Sequence, residues 1–188
     1  GKMPGSHTSS SLESFWMPFT ANAQFKSTPR MLVSAQGMYY TSDDNRQILD
    51  GTAGLWCCNA GHGRREISEA VSAQIHQLDF APTFQMGHPL PFLFAEQLAE
   101  IAPAGLNTVF FTNSGSESVD TALKIALAYQ SARGKSGKFK LIGREMAYHG
   151  VNFGGISVGG IGPNRAIYGQ GIDAIHLPHT MLEKNRFV

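Results

Sequence analysis

One stretch in the middle of the chain constrains the fold most, because it reads as strand, turn and helix in direct succession. Thr108–Thr112 is a buried-strand run, Asn113–Ser116 is a turn of small residues, and Ser118–Ala132 has helical apolar spacing. A second strand is predicted at Phe139–Ile142. A helix that joins two strands in this way connects parallel strands in a right-handed crossover. The sequence therefore predicts an α/β fold.

Four further elements are predicted before this unit. Short strands at Met38–Thr41 and Gln47–Leu49 flank a turn-rich segment, which indicates a hairpin. Apolar residues recur every three or four positions over Arg65–Leu78 and again over Leu90–Ile101. Each of these two stretches is predicted to be a helix with one buried stripe.

The last third of the chain predicts an incomplete domain. Gly150–Gly162 is rich in glycine and has no helical period, so no helix is expected there, and a third short strand is predicted at Ile172–Leu177. Parallel sheets usually need both faces covered, so two or three such strands rarely stand alone. We expect a disordered tail or cloning remnant at Gly1–Ser14, an N-terminal segment with the hairpin at 15–64, and an incomplete large domain at 65–188.

Composition restricts the partners and the compartment. A chain of 188 residues with 42% hydrophobic residues is expected to bury about 70% of its unfolded surface as one compact domain. A net charge of +1 gives no field for nucleic acid or an anionic membrane. The neighbours Cys57 and Cys58 suit neither a disulfide framework nor a spaced metal site. We expect a cytoplasmic protein without a metal, a membrane span or a signal peptide.

The turn Asn113–Ser116 has two possible uses. Free N–H groups and the dipole at a helix N-terminus attract an anion, and small side chains let a phosphate approach, with the Ser116 hydroxyl as a further donor. In the simpler interpretation the serines only cap the helix, and Glu117 adds ordinary dipole stabilisation. The pattern by itself leaves both interpretations open.

The order of several short motifs resembles a known family. Ser114–Glu117, followed about thirty residues later by Tyr148–Gly150, resembles the class III aminotransferase pattern. Phe15–Phe19, Gly51–Trp56 and Asn59–Arg64 resemble the omega-amino acid:pyruvate branch in the same order. The resemblance implies the N-terminal part of a homodimeric, pyridoxal phosphate (PLP)-dependent enzyme of fold type I. By this resemblance the chain includes the first part of the large parallel-sheet domain.

The resemblance also implies which residues bind the cofactor. Gly115 and Ser116 would hold the phosphate, Tyr148 would lie against the pyridine ring, and His149 is a further candidate for cofactor contact. An aromatic face beside the ring would orient it by stacking. Without the resemblance, Tyr148 would be interpreted as a packed surface aromatic residue and His149 as a hydrogen-bonded structural residue.

Three aromatic residues match substrate-pocket positions of the family. Trp56 would give the amine donor a flat apolar wall. Phe19 and Phe84 match other positions that line the pocket, and Phe84 would approach the site from the partner subunit. The alternative for each is simple packing in a core.

The activity implied for the intact enzyme is transamination from an omega-amino acid or amine, such as β-alanine, to pyruvate. Its partners would be a small-molecule amine donor and a keto acid acceptor. Fold type I enzymes form a covalent bond between the cofactor and a lysine well beyond the middle of their chains. None of the lysines present here matches that position. No catalytic residue is therefore predicted in this chain, and we expect the 188 residues alone to be inactive.

Two other functions fit parts of the pattern. The chain could be a non-catalytic cofactor-binding or dimerisation fragment that keeps the phosphate turn. A serine hydrolase is a more distant alternative, because Gly155–Gly159 fits G-x-S-x-G around Ser157, and Asp173 and His176 follow in hydrolase order. That motif needs a helix directly after the serine, which the surrounding glycines argue against.

Overall fold

The chain divides into two units, Gly1–His88 and Pro89–Val188. The structure is a computed structural model that describes residues 12–169 and 171–186. Most of the predicted tail at Gly1–Ser14 lies outside the described residues, and its last three residues form the 3-10 turn Leu12–Ser14. The predicted boundary between residues 64 and 65 stays a prediction.

A three-stranded antiparallel sheet forms the centre of the N-terminal unit. The strands β1 (Leu32–Gln36), β2 (Tyr39–Ser42) and β3 (Gln47–Leu49) pair in the order β1-β2-β3. The turn between β2 and β3 contains Asn45 at φ 62°, a conformation that Asn adopts more readily than most residues. The predicted hairpin is confirmed.

Three helical elements complete the N-terminal unit: α1 (Asn22–Ser27), the single turn α2 (Ala53–Trp56) and α3 (Arg65–Gln77). The predicted helix at Arg65–Leu78 is confirmed. Its apolar stripe, however, is half exposed rather than buried, with Ile67, Val71 and Ile75 between 52% and 57% exposed.

The C-terminal unit contains helices and two parallel strands. In chain order they are α4 (Pro89–Ile101), α5 (Gly115–Ala132), β4 (Leu141–Arg144), α6 (Phe153–Val158), α7 (Gly162–Arg165), β5 (Ala174–Leu177) and a 3-10 turn (Glu183–Asn185). The helices predicted from Leu90 and from Ser118 are confirmed. The strands predicted from Phe139 and Ile172 are found two residues further along the chain. The structure thus confirms the α/β class.

The strand predicted at Thr108–Thr112 is wrong. A strand exists only within a hydrogen-bonded ladder, and among residues 12–169 and 171–186 this run has no ladder partner. It has no regular secondary structure, and Phe111 within it stacks on Phe94, with ring centroids 5.5 Å apart. The predicted β-α-β unit around α5 is therefore also wrong, and the parallel pair is instead β4 with β5.

A helix forms in the glycine-rich stretch, contrary to the prediction. In α6, Gly154, Gly155, Ser157 and Val158 are buried. A Cβ on Gly155 would overlap the backbone carbonyl of His149, and one on Gly143 of β4 would overlap the Val158 carbonyl. The glycines thus let the helix backbone lie directly against its neighbours. Because glycine has no side chain, such a contact face leaves no apolar period in the sequence.

Little of the chain is buried. Val158 is the only buried apolar side chain among the described residues. The accessible surface is 15812 Å², against about 8,800 Å² for a compact protein of this mass and about 29,000 Å² for the unfolded chain. Less than half of the unfolded surface is therefore buried, so the expectation of about 70% in one compact domain is wrong. No helix in the described part of the chain is long and apolar enough to cross a membrane.

Candidate functional site

The N-terminus of α5 is closed by a reciprocal pair of hydrogen bonds. The Ser114 hydroxyl accepts the Glu117 N–H at 3.1 Å, and the Glu117 carboxylate accepts the Asn113 N–H at 2.8 Å. The arrangement is a variant of the capping box in which the carboxylate binds the N–H of Asn113, one residue before the N-cap Ser114, and it satisfies two backbone donors. The capping interpretation therefore holds for Ser114 and Glu117. The two capping bonds do not involve the N–H groups of Gly115 and Ser116, which lie in the first helical turn and have no acceptor within the helix.

Ser116 joins this helix end to the segment that follows Tyr148. Its hydroxyl accepts the Val151 N–H at 3.0 Å. Gly150 has φ 99°, and a Cβ there would lie 2.8 Å from both Cα and Oγ of Ser116. The structure thus brings together the two motifs that resemble the aminotransferase pattern, although 35 residues separate Ser116 from Val151.

Tyr148 and His149 lie beside this contact. Together with Gly150 they line a small cavity that Asn164 and Arg165 also line. Tyr148 is 59% exposed, so it is a surface residue whose ring is accessible, and this exposure fits both interpretations. His149 contributes its backbone carbonyl to the close contact with α6.

These residues fit the phosphate and ring of PLP. The positive end of the 18-residue helix α5 faces the turn, and helix N-termini favour phosphate groups. A Cβ on Gly115 would meet nothing within 4 Å, so the space beside the first turn is open. Ser116 and the exposed Tyr148 supply a hydroxyl and an aromatic face.

The turn that carries Trp56 has an unusual backbone. All four residues of α2 have positive φ, between 51° and 68°. For a residue with a side chain, this left-handed conformation is unfavourable by about 1–2 kcal/mol. Gly54 has no side chain and does not carry this cost. The turn closes through the Trp56 N–H to the Thr52 carbonyl at 2.8 Å. Strained backbone of this kind persists only where the surrounding structure holds it in place.

A buried carboxylate lies at the start of this turn. The Asp50 side chain is 4% exposed and lies 2.7 Å from Nε2 of His62, which is 12% exposed. The carboxylate also accepts the Thr52 N–H at 3.3 Å. Hydrogen bonds from the Gly54 N–H, then from His62, Thr52 and Tyr40, lower the pKa of Asp50 from 3.8 to about 2, against the opposing effect of burial.

Tyr40 completes this group. Its ring centroid lies 4.5 Å from that of His62. Burial raises the pKa of the Tyr40 hydroxyl, and the negative charge of Asp50 raises it further. Sequence reasoning missed Tyr40 and Asp50 and included His62 only as a member of the motif Asn59–Arg64. The one available signal was the position of Asp50 directly before the motif Gly51–Trp56.

The lowered pKa of Asp50 gives a pH prediction. An ionised Asp50 stabilises the folded state above its unfolded pKa of about 3.8, and this contribution is lost as the pH falls toward about 2. The difference in unfolding free energy between the wild-type protein and an Asp50→Asn variant should therefore be constant above about pH 5 and shrink between about pH 4 and 2. Urea unfolding at several pH values measures it. Asp43→Asn, the same substitution at an exposed position, is measured alongside as the control for the loss of one carboxylate.

The three predicted substrate residues are all exposed in the N-terminal unit. Trp56 is 76%, Phe84 is 89% and Phe19 is 91% exposed. Phe19 also has φ 53°. None is packed in a core, and no ring contact in the described part of the chain joins them. Their common pocket stays a prediction, as do the cofactor roles of Gly115, Ser116, Tyr148 and His149.

The serine hydrolase alternative is wrong. Ser157 lies inside α6 and not on a strand-to-helix turn, as a nucleophile elbow requires. Its hydroxyl is buried, donates to the Phe153 carbonyl at 2.5 Å and accepts the Ile172 N–H at 2.9 Å. His176 is held by the Gly159 carbonyl at 2.8 Å. The serine therefore has a structural role.

Comparison with known sequences identifies the family. Residues 20–183 match the model of the family Aminotransferase class-III. The chain is 62% identical over 172 residues to an omega-aminotransferase of Caulobacter vibrioides, covering 90% of this chain and 39% of that protein. It is 52% identical over 170 residues to a beta-alanine–pyruvate aminotransferase of Pseudomonas aeruginosa, covering 90% and 38%.

Solved structures agree with this assignment. An (S)-enantioselective omega-transaminase from Thermomicrobium roseum matches with a TM-score of 0.83 and 37% identity, covering 87% of this chain and 37% of that chain. The omega transaminase from Pseudomonas jessenii in complex with PMP matches with a TM-score of 0.83 and 29% identity, covering 89% and 38%. A thermostable omega transaminase variant with a tryptophan, a phenylalanine and an arginine replaced, engineered for bulky amines, matches equally well. The chain belongs to the class III aminotransferases, a PLP-dependent family, and spans about two fifths of the length of the relatives it matches.

Proposed function

We propose that the protein of which this chain is part transfers an amino group from an omega-amino acid or amine, such as β-alanine, to pyruvate. The observation that carries this proposal is the phosphate turn at the start of α5, where Ser116 is hydrogen-bonded to Val151 beside Tyr148. The relatives named omega-aminotransferase and beta-alanine–pyruvate aminotransferase share 62% and 52% identity with the chain that builds this turn.

In this proposal the chain anchors and orients the cofactor. PLP, when bound, supplies the electron sink that makes the amino group transferable. The amides of Gly115 and Ser116 and the Ser116 hydroxyl bind its phosphate dianion, and Tyr148 covers the ring and limits its tilt. The lysine implied by the resemblance matches none of the lysines in this chain. The proton transfer therefore depends on the rest of the protein.

Trp56, Phe84 and Phe19 form the apolar wall for the donor. In the transaminase variant engineered for bulky amines, the replaced tryptophan and phenylalanine stand 28 positions apart, and Trp56 and Phe84 have the same separation here. A flat apolar wall accepts the carbon chain of a donor through burial of its surface.

The test is an assay of the full-length protein with PLP, β-alanine and pyruvate. We expect one equivalent each of alanine and 3-oxopropanoate, and turnover is expected to be absent for the 188-residue chain alone, because the lysine is missing. Chromatographic quantification of both products measures this. PLP binding by the full-length protein without amino transfer to pyruvate from β-alanine or any other amine would contradict the proposal and favour the non-catalytic binding protein.

We also propose that the whole protein is a cytoplasmic homodimer. The many exposed apolar side chains in both units support an assembly that covers them, and Phe84, at 89% exposure, is one of them. The free thiols of Cys57 and Cys58 are compatible with a reducing compartment.

A further inference from the structure

Asp50 is a buried charge that the proposed reaction does not use, yet its hydrogen bonds converge on one short segment. Its carboxylate accepts the Thr52 N–H at 3.3 Å and the Thr52 hydroxyl at 3.4 Å. Thr52 directly precedes the turn α2, Ala53–Trp56, and its carbonyl accepts the Trp56 N–H that closes the turn. An ionised carboxylate is an acceptor only, and several N–H groups can share its oxygens.

The turn needs such an anchor because its backbone is unfavourable by itself. Ala53, Leu55 and Trp56 all carry side chains and all have positive φ, in a region that L-residues disfavour. The turn is also confined from one side, because a Cβ on Gly54 would lie 3.1 Å from the Tyr40 hydroxyl. Its conformation is therefore imposed by neighbouring residues.

The carboxylate is itself held by the sheet. His62 Nε2 lies 2.7 Å from Asp50, and the His62 backbone exchanges two hydrogen bonds with Gly37, of 2.8 and 3.0 Å, next to β1 and β2. Tyr40 lies on β2, and its ring centroid is 4.5 Å from that of His62. Asp50 thus ties the turn to the rigid hairpin.

We propose that Asp50 is a positioning residue that holds the left-handed turn Ala53–Trp56 on the sheet, and so fixes the direction in which the Trp56 indole is presented to the amine donor. This proposal rests on the proposed function for its catalytic consequence. The indole is 76% exposed, so its own packing does not fix it, and its placement depends on the backbone of the turn.

A double-mutant cycle in the full-length enzyme tests this coupling. We expect Asp50→Asn to raise the KM for the amine donor about tenfold with Trp56 present, and by less than about twofold in a Trp56→Ala background, because the two residues then no longer act as a unit. The KM for pyruvate provides the internal comparison and should change less. An equal effect of Asp50→Asn in both backgrounds would overturn the proposal.

Hydrogen exchange gives a second measurement that does not depend on activity. Asp50→Asn should accelerate amide exchange in the peptide 51–61 and leave that of the hairpin 39–49 unchanged. Asp43→Asn, the same substitution at an exposed position of the hairpin, is the matched control and should change neither. Unaltered protection of 51–61 in Asp50→Asn would overturn the proposal, whether or not the wild-type enzyme transaminates.

A second substitution keeps the proposal testable if Asp50→Asn does not fold. Asp50→Glu retains the charge but moves the carboxylate by one methylene, so it should show the same pattern at smaller amplitude. If Asp50→Glu gives wild-type exchange and a wild-type donor KM, the exact placement of the carboxylate does not matter and the proposal fails.

Discussion

Gly150→Ala is expected to weaken PLP binding to the full-length enzyme by about 100-fold, because two costs combine at this position. The backbone has φ 99°, and the added methyl group would lie 2.8 Å from Cα and Oγ of Ser116. Relief of that clash moves Ser116 away from the Val151 N–H and from the first turn of α5, where the phosphate is expected. Fluorescence titration of the apoenzyme with PLP measures the change.

Gly105→Ala is the matched control for this substitution. Gly105 lies in the same unit with φ 90°, but a Cβ there would meet nothing within 4 Å. It therefore carries the conformational cost without the clash and should leave the PLP affinity within about threefold of the wild type, because its cost falls on folding and not on binding. Equal losses of affinity in both variants would show that the contact between Gly150 and Ser116 has no part in cofactor binding.

Gly155→Ala is expected to lower the free energy of unfolding by about 3 kcal/mol, at the upper end of the usual cost of overpacking. The new methyl group would occupy the position of the His149 carbonyl, and backbone cannot move aside as a flexible side chain can. Helix α6 would have to separate from the segment that carries Tyr148. Denaturant unfolding of the full-length protein, followed by circular dichroism, measures the loss.

Gly162→Ala provides the comparison, since it lies in the same glycine-rich stretch and a Cβ there would meet nothing within 4 Å. We expect a change of less than about 0.5 kcal/mol, as for other substitutions away from close contacts. A loss of the same size at Gly155 and Gly162 would mean that glycine acts here through backbone freedom rather than through the close approach of α6.

Several elements followed from the sequence because their hydrogen bonds are local. Helices α3, α4 and α5 carry apolar residues every three or four positions, and Ser114 with Glu117 marks the start of α5. Both signals lie within the helices or at their ends, so the helices can be recognised without reference to distant residues. The hairpin of β2 and β3 is also local, since a short polar turn brings its strands together. The ordered motifs around Ser116 and Tyr148 were enough to indicate the family.

Other features depended on residues far apart in the chain. Thr108–Thr112 has the composition of a strand but not the ladder partner that a strand requires, and composition does not show whether a partner is present. Helix α6 forms from glycines because His149 and β4 lie against it, which leaves no periodic signal. A pattern of residue types records what each residue favours locally, whereas these contacts depend on where the backbone passes.

The candidate site also combines features that the local sequence indicates with features that depend on distant contacts. The sequence by itself predicted the turn before α5, since a small-residue turn followed by a helix is recognised from consecutive residues, and its own backbone can bind an anion. Only the tertiary structure joined Ser116 to Val151, and only it placed Asp50, His62 and Tyr40 around the strained turn of Trp56. The reason is physical: a helix end makes its site from consecutive residues, whereas a buried carboxylate needs donors that folding brings in from separate segments.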